Sequence, residues 1–200
     1  MPHYKLESAH APRRVCGVDE AGRGPLAGPV VAASVMFLTP RAIPQGLNDS
    51  KKLSAAARAE LAQALFARPE QIIIGVGIGS VEEIDTHNIW GATSLAMCRA
   101  FDNMPTRAEL ALVDGKLKPK HFAYDAQPVI GGDAISLSIA AASIIAKTTR
   151  DRMMQEYAQA HPQYGFETHA GYGTPAHLRA LEEHGPCPIH RLTFKRVKAA

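Results

Sequence analysis

The chain has 200 residues with 46% hydrophobic content, enough for one globular domain around a single core. Its formal charge of +3 permits a polyanionic partner without demanding one. Cys16, Cys98 and Cys187 are odd in number and form no CxxC pair, which argues against a structural zinc site and points to a reducing, cytoplasmic setting. Met1 to Arg14 lacks the apolar stretch of a secretory signal, and no apolar run approaches transmembrane length, so the protein is expected to be soluble and away from membranes.

In chain order, the first dozen residues read as a loose tail. Arg14 to Val18 predicts a buried strand, and Val30 to Phe37 a second, rich in β-branched residues. The connection between them is too short for a crossover helix, so the pair is expected to be antiparallel. Leu38 to Lys52 carries Pro40, Pro44, Gly46 and Asn48 and reads as loop. Ser54 is placed to cap a helix ending near Arg68, and Gln71 to Gly79 predicts a third strand. Ser80-Val81-Glu82-Glu83 matches a capping box and opens a helix running to about Asn103, broken near Asn88.

Glu109 to Val113 predicts a fourth strand that ends at Asp114-Gly115, and Gln127 to Ile130 a short fifth. The longest helix is expected over Asp133 to Ala160, with Ile135, Ile139, Ala142, Ile145 and Ala146 on one stripe. Tyr164 to Thr174 reads as a glycine-rich loop whose Tyr164-Gly165-Phe166 pins it to the core. Thr174 and Pro175 begin a last helix that Gly185 ends. The basic tail from Pro186 is expected to lose order after Phe194. The pattern is an α/β architecture: a mixed sheet flanked by helices, in one domain over 1–200, with an α/β core over about 13–160 and a C-terminal loop-helix segment over about 161–200.

The chemistry concentrates in Val15-Cys16-Gly17-Val18-Asp19-Glu20-Ala21-Gly22-Arg23-Gly24-Pro25. Two adjacent carboxylates against an apolar strand repel each other and lose hydration, and a hard divalent cation is the usual compensation. The loop beyond offers backbone N–H groups and Arg23, both suited to phosphate. Ligands of such sheets collect at strand carboxyl ends, where Asp114 and Asp133 can join Asp19 and Glu20. The plain alternatives are a turn for Asp114-Gly115 and a helix N-cap for Asp133. Lys51, Lys147 and Arg150 are candidate phosphate contacts, although helix cations are commonly just solvated. Tyr172, between glycines, is a candidate stacking residue. The nine histidines show no HxxxH or HExxH pattern and are expected mostly at the surface.

These motifs together resemble the ribonuclease HII family. The resemblance runs through Gly17 to Val30, Asn48-Asp49-Ser50-Lys51-Lys52-Leu53, Val113-Asp114-Gly115, Gly132-Asp133-Ala134 with Ser143 to Asp151, and His169 to Thr174. It implies a ribonuclease H-like fold with a C-terminal helical segment. It implies an Mg2+- or Mn2+-dependent endonuclease acting on RNA/DNA hybrids and on duplex DNA carrying a single ribonucleotide. The cut falls 5′ of the ribonucleotide and leaves 5′-phosphate and 3′-hydroxyl ends, the chemistry of ribonucleotide excision repair, by a protein expected to be a monomer. Asp19, Glu20, Asp114 and Asp133 fall on the catalytic acids, Gly22, Arg23 and Gly24 on the phosphate and 2′-hydroxyl loop, and Tyr172 on the junction-sensing tyrosine. The tail ending Phe194-Lys195-Arg196-Val197 shows no aromatic-pair clamp-binding motif. Two metal ions roughly 4 Å apart need carboxylates and no protein nucleophile, consistent with the want of a convincing Ser-His or Cys-His pair.

Two rival readings are weaker. A dinucleotide enzyme would need GxGxxG, whereas Gly22, Gly24 and Gly28 are spaced differently and the acids would repel a pyrophosphate. A non-catalytic hybrid-binding module fits poorly with so many acids on so modest a positive charge.

Overall fold

A computed structural model describes residues 1–198. Five strands form one mixed sheet in the order β3-β2-β1-β4-β5: β1 Val15–Ala21, β2 Val30–Phe37, β3 Ile72–Gly79, β4 Leu110–Asp114 and β5 Ala126–Val129. β1 and β2 are antiparallel, as the short connection requires, with Asp19 opposite Ala33. β4 adds to the other edge of β1 in parallel, with Val18 opposite Val113, so the ends of these two central strands lie side by side.

Helices cover both faces. Side chains alternate along β1, and the two sets meet different partners. Cys16 and Val18 share a core with Ile84, Ala92, Met97 and Phe101 of α3, Val81–Asp102. Gly17 points the other way, onto α4, Leu137–Ala160; a Cβ there would lie 2.2 Å from the backbone of Ser138 and Ile139. The missing side chain lets α4 lie directly on the strand that carries Asp19. Helix α2, Ala55–Phe66, capped by Ser54, packs beside α4 through Leu65, Ile144 and Ile145.

The predicted capping box is present in full: Ser80 Oγ accepts the Glu83 N–H, and Glu83 accepts the Ser80 N–H. The predicted break is also present. Asn88 has φ 59°, and its side chain accepts the N–H groups of Trp90 and Gly91, recapping the second half of the helix.

Several expectations are corrected. Residues 1–12 are not loose: α1, Lys5–Ser8, buries Glu7, whose Oε1 accepts Ser136 Oγ at 2.7 Å and Ser138 Oγ at 2.7 Å. β1 runs through both acids to Ala21 rather than stopping before them. The long helix begins at Leu137, because Ser136 is its N-cap and Gly132–Ala134 forms a separate 3-10 turn; Ile135 therefore lies outside the helix. Within the expected glycine loop, Phe166–His169 forms a turn of helix, α5. Tyr164 and Phe166 are buried there, as anticipated.

α6, Pro175–His184, has Thr174 as its N-cap and Gly185 beyond its end. The tail past Phe194 continues as α7, Lys195–Lys198, with Val197 buried. The last two positions of the expected disordered tail lie outside the described residues. Most of the nine histidines are exposed or half-buried, as expected, but His169, His177 and His190 are buried. Among the described residues, no helix is long and apolar enough to cross a membrane.

Candidate active site

Asp19 and Glu20 leave β1 on opposite faces. Asp19 is 5% exposed, on the side of α4; Glu20 opens to solvent near Trp90 of α3. Asp114 ends β4 next door, and its Oδ1 accepts the Gly132 N–H at 2.7 Å. That bond ties the 3-10 turn to the strand end and brings in Asp133, itself 8% exposed. The helix-cap alternative for Asp133 fails, because Ser136 does the capping.

The acids feel one another. Burial, reinforced by the charges of Glu20, Asp114 and Asp133, pushes the Asp19 carboxyl well above the usual carboxylate range. Glu20 is raised by burial, against the pull of Arg23, whose Nη1 lies 3.3 Å from Glu20 Oε1. Asp133 is raised by burial and by Asp49 and Asp114. Lys51 answers part of this charge: its Nζ lies 3.9 Å from Asp133 Oδ2. Burial pulls the ammonium down, but Asp133, Asp19, Asp49 and Asp114 outweigh it, and its pKa is raised. The site is short of positive charge, and its donors are hard carboxylate oxygens, which fits Mg2+ or Mn2+. Among the described residues, no group of three or more His, Cys, Asp or Glu side chains is drawn together as a preformed ligand set.

A cleft of about 470 Å3 adjoins the acids, bordered by Glu20, Arg23, Gly24, Lys51, Lys147 and Tyr172. Gly22 sits at φ +97°, a conformation that side chains rarely adopt, and lies against Arg150. Arg23 stacks 5.7 Å above Trp90. Tyr172 is 46% exposed, and its ring edge lies close to Gly24, 3.7 Å from where a Cβ on that glycine would stand. Its loop is built on the buried histidines: His177 Nδ1 pairs with Tyr172 O at 3.0 Å, and His169 stacks on His177 with ring centroids 4.6 Å apart. His177 Nε2 meets His190 Nε2 at 3.0 Å, and burial followed by the proximity of His177 lowers His190 to about 4.

The sequence candidates divide. Asp19, Glu20, Asp114, Asp133, Gly22, Arg23, Gly24, Lys51, Lys147 and Tyr172 come together at or around one cleft. Arg150 does not. It is 1% exposed, and its guanidinium donates to Pro29 O, Ala170 O and Ala27 O, each at 3.0 Å. No phosphate can reach a side chain so enclosed, so it is a structural cation rather than a substrate contact. Lys147 keeps its place at the cleft, held by Asp151 Oδ1 at 2.6 Å. Sequence reasoning passed over Asp49, which caps the turn bearing Lys51 and faces Asp133; the Asn48-Asp49-Ser50 motif did carry that signal. It also passed over Trp90, and over Arg191, which no local pattern marks.

A mixed sheet whose paired central strands hold acidic side chains beside a glycine loop defines a ribonuclease H-like protein. The family model of ribonuclease HII matches residues 16–197, and the chain belongs to that family. It is 56% identical over 195 residues to ribonuclease HII of Parvibaculum lavamentivorans, covering 98% of this chain and 71% of that protein. It is 53% identical to ribonuclease HII of Paracoccus denitrificans, covering 98% and 93%. Among solved structures it resembles ribonuclease H2 of Pyrococcus horikoshii, with TM-score 0.72, 26% identity and coverage of 93% and 96%. It also resembles the ribonuclease HII of the PCNA complex from Archaeoglobus fulgidus, with TM-score 0.75, 26% identity and coverage of 91% and 95%. The chain is accordingly a ribonuclease H, an endonuclease that hydrolyses the RNA strand of RNA/DNA hybrids, in a family that depends on divalent metal.

Proposed function

We propose that the protein also nicks duplex DNA on the 5′ side of a single embedded ribonucleotide, leaving 5′-phosphate and 3′-hydroxyl ends. The observation that carries this reading is the shared cleft: an exposed tyrosine and a glycine loop stand together beside the buried acids. A reader of one ribonucleotide must sense both the 2′-hydroxyl and the deoxyribose that follows, and the loop and the adjacent tyrosine supply one element for each.

Asp19, Glu20, Asp114 and Asp133 would hold Mg2+ or Mn2+. Bound there, the ions would supply Lewis-acid activation of water and charge neutralisation at the departing 3′-oxygen. Burial raises the Asp19, Glu20 and Asp133 carboxyls, and Lys51 offsets part of the acidic charge. The backbone N–H groups of Gly22, Arg23 and Gly24 orient the 2′-hydroxyl and the adjacent phosphate, with the Arg23 guanidinium steadied between Glu20 and Trp90. Tyr172 stacks on the deoxyribose after the ribonucleotide. Lys51 and Lys147 face backbone phosphates.

Residues 1–200 act as one domain in this reading, since Arg191 of the C-terminal segment is bonded into the glycine loop of the core. The protein works as a monomer in the cytoplasm, in ribonucleotide excision repair. A duplex with one ribonucleotide, incubated with and without divalent metal, tests the activity. Metal-dependent nicking with a 3′-hydroxyl on the upstream fragment and the ribonucleotide at the 5′-phosphate end is the expected product pattern. Cleavage of long hybrids alone, with the single-ribonucleotide duplex intact, would reject it.

A further inference from the structure

Arg191 is 0% exposed and 168 residues distant in sequence from the loop it touches. Its Nη2 donates to Gly22 O at 2.6 Å and to Pro29 O at 3.3 Å. Its Nη1 donates to Arg23 O at 3.0 Å and Pro25 O at 2.7 Å, and its Nε to Gly28 O at 2.9 Å. Arg150 lies alongside and takes the carbonyls of Ala27 and Pro29. Leu26 O accepts the Arg191 backbone N–H at 2.9 Å. Almost the whole Gly22–Pro29 segment thus turns its carbonyls inward onto two guanidinium groups.

A trans peptide points its C=O and N–H in opposite directions. Gly22 O and Arg23 O face Arg191, so the N–H groups of Arg23 and Gly24, in those same two peptides, face away from it. Among the described residues neither N–H donates to a protein acceptor, and both residues are exposed. Nor does any carboxylate form an ion pair with Arg150 or Arg191 among the described residues. A buried cation without an ion-pair partner is costly unless hydrogen bonds saturate it; here carbonyl dipoles do so, with the Phe194 ring 5.1 Å from the Arg191 guanidinium. Two guanidinium groups thus lie on the inner side of the loop while the Arg23 and Gly24 amides face outward, an arrangement that favours an anion in front of them.

We infer that Arg191, backed by Arg150, is a positioning residue for ribonucleotide recognition: it fixes the glycine loop with carbonyls inward and the Arg23 and Gly24 amides aimed at the 2′-hydroxyl and its phosphate. This rests on the proposed role of the loop. It gives the C-terminal segment a part in specificity. The fork is essential to it, since a lysine keeps the charge but cannot hold successive carbonyls in fixed directions.

The test compares Arg191→Lys with wild type, measuring affinity without metal for a duplex carrying one ribonucleotide and for the same duplex in all-DNA form. The expected result is a loss of about tenfold in the ratio of the two affinities, with all-DNA binding nearly unchanged. An unchanged ratio, or equal weakening of both duplexes, would overturn the inference. Amide exchange in the wild-type protein decides the matter should the variant not fold. The Arg23 and Gly24 amides should exchange freely alone and gain protection with the ribonucleotide duplex. Protection already present in the free protein would overturn the positioning role. Free exchange that the duplex leaves untouched would overturn the loop's role in recognition, and the inference with it.

Discussion

Asp19→Asn should abolish cleavage, lowering turnover by at least about a thousandfold, on the order of 4 kcal/mol of barrier, while leaving hybrid binding in place. The same change should leave thermal stability equal or higher. Asp19 is buried, and burial together with Glu20, Asp114 and Asp133 pushes its carboxyl upward, so at neutral pH its ionised form is a strain on the fold. Asparagine keeps the shape and the acceptor that receives the Glu20 N–H at 2.7 Å but removes the charge. Loss of activity with stability retained separates a residue kept for chemistry from one kept for packing. Turnover and melting curves on one preparation supply both readouts. Near-wild-type turnover would remove Asp19 from the mechanism.

Tyr172→Ala should cut kcat/KM for a single-ribonucleotide duplex by about tenfold to a hundredfold, because stacking on an aromatic ring is worth about 1–3 kcal/mol. Long hybrids should suffer less, since they offer ribose contacts on either side of the cut. The side chain is exposed on the cleft wall, whereas its backbone carries the structural load through His177 and His169, so truncation should not unfold the loop. Steady-state rates on the two substrates check this. A deficit confined to long hybrids would assign the ring another task.

Most of the strands and helices could be read in advance because their signals are local. The Ser80–Glu83 box, the Asn88 break and the Thr174-Pro175 helix start each lie within a few residues. The acidic pair was also legible, since no turn or cap explains two carboxylates beside an apolar run. The Gly132-Asp133-Ala134 motif places Asp133 among the acids, and Ser136 removes its helix-cap alternative. What escaped were long-range partnerships. Arg150 reads as a phosphate contact because nothing nearby in sequence shows that Ala27, Pro29 and Ala170 will enclose it. The N-terminal dozen residues look loose because Glu7 finds its hydroxyl partners more than a hundred residues away. The buried histidines had no spacing to betray them, since their contacts form only when α5, α6 and the C-terminal segment meet.

In the proposed site, carboxylates from separate strands and a turn act together on a divalent cation. Calorimetric titration of Mn2+ into wild-type and Asp114→Asn protein addresses it directly. Asp114 stands far in sequence from Asp19 but ends the neighbouring strand. The wild type should bind Mn2+ measurably and the variant at least about tenfold more weakly. Equal affinity in the two proteins, or no manganese uptake by either, would contradict it.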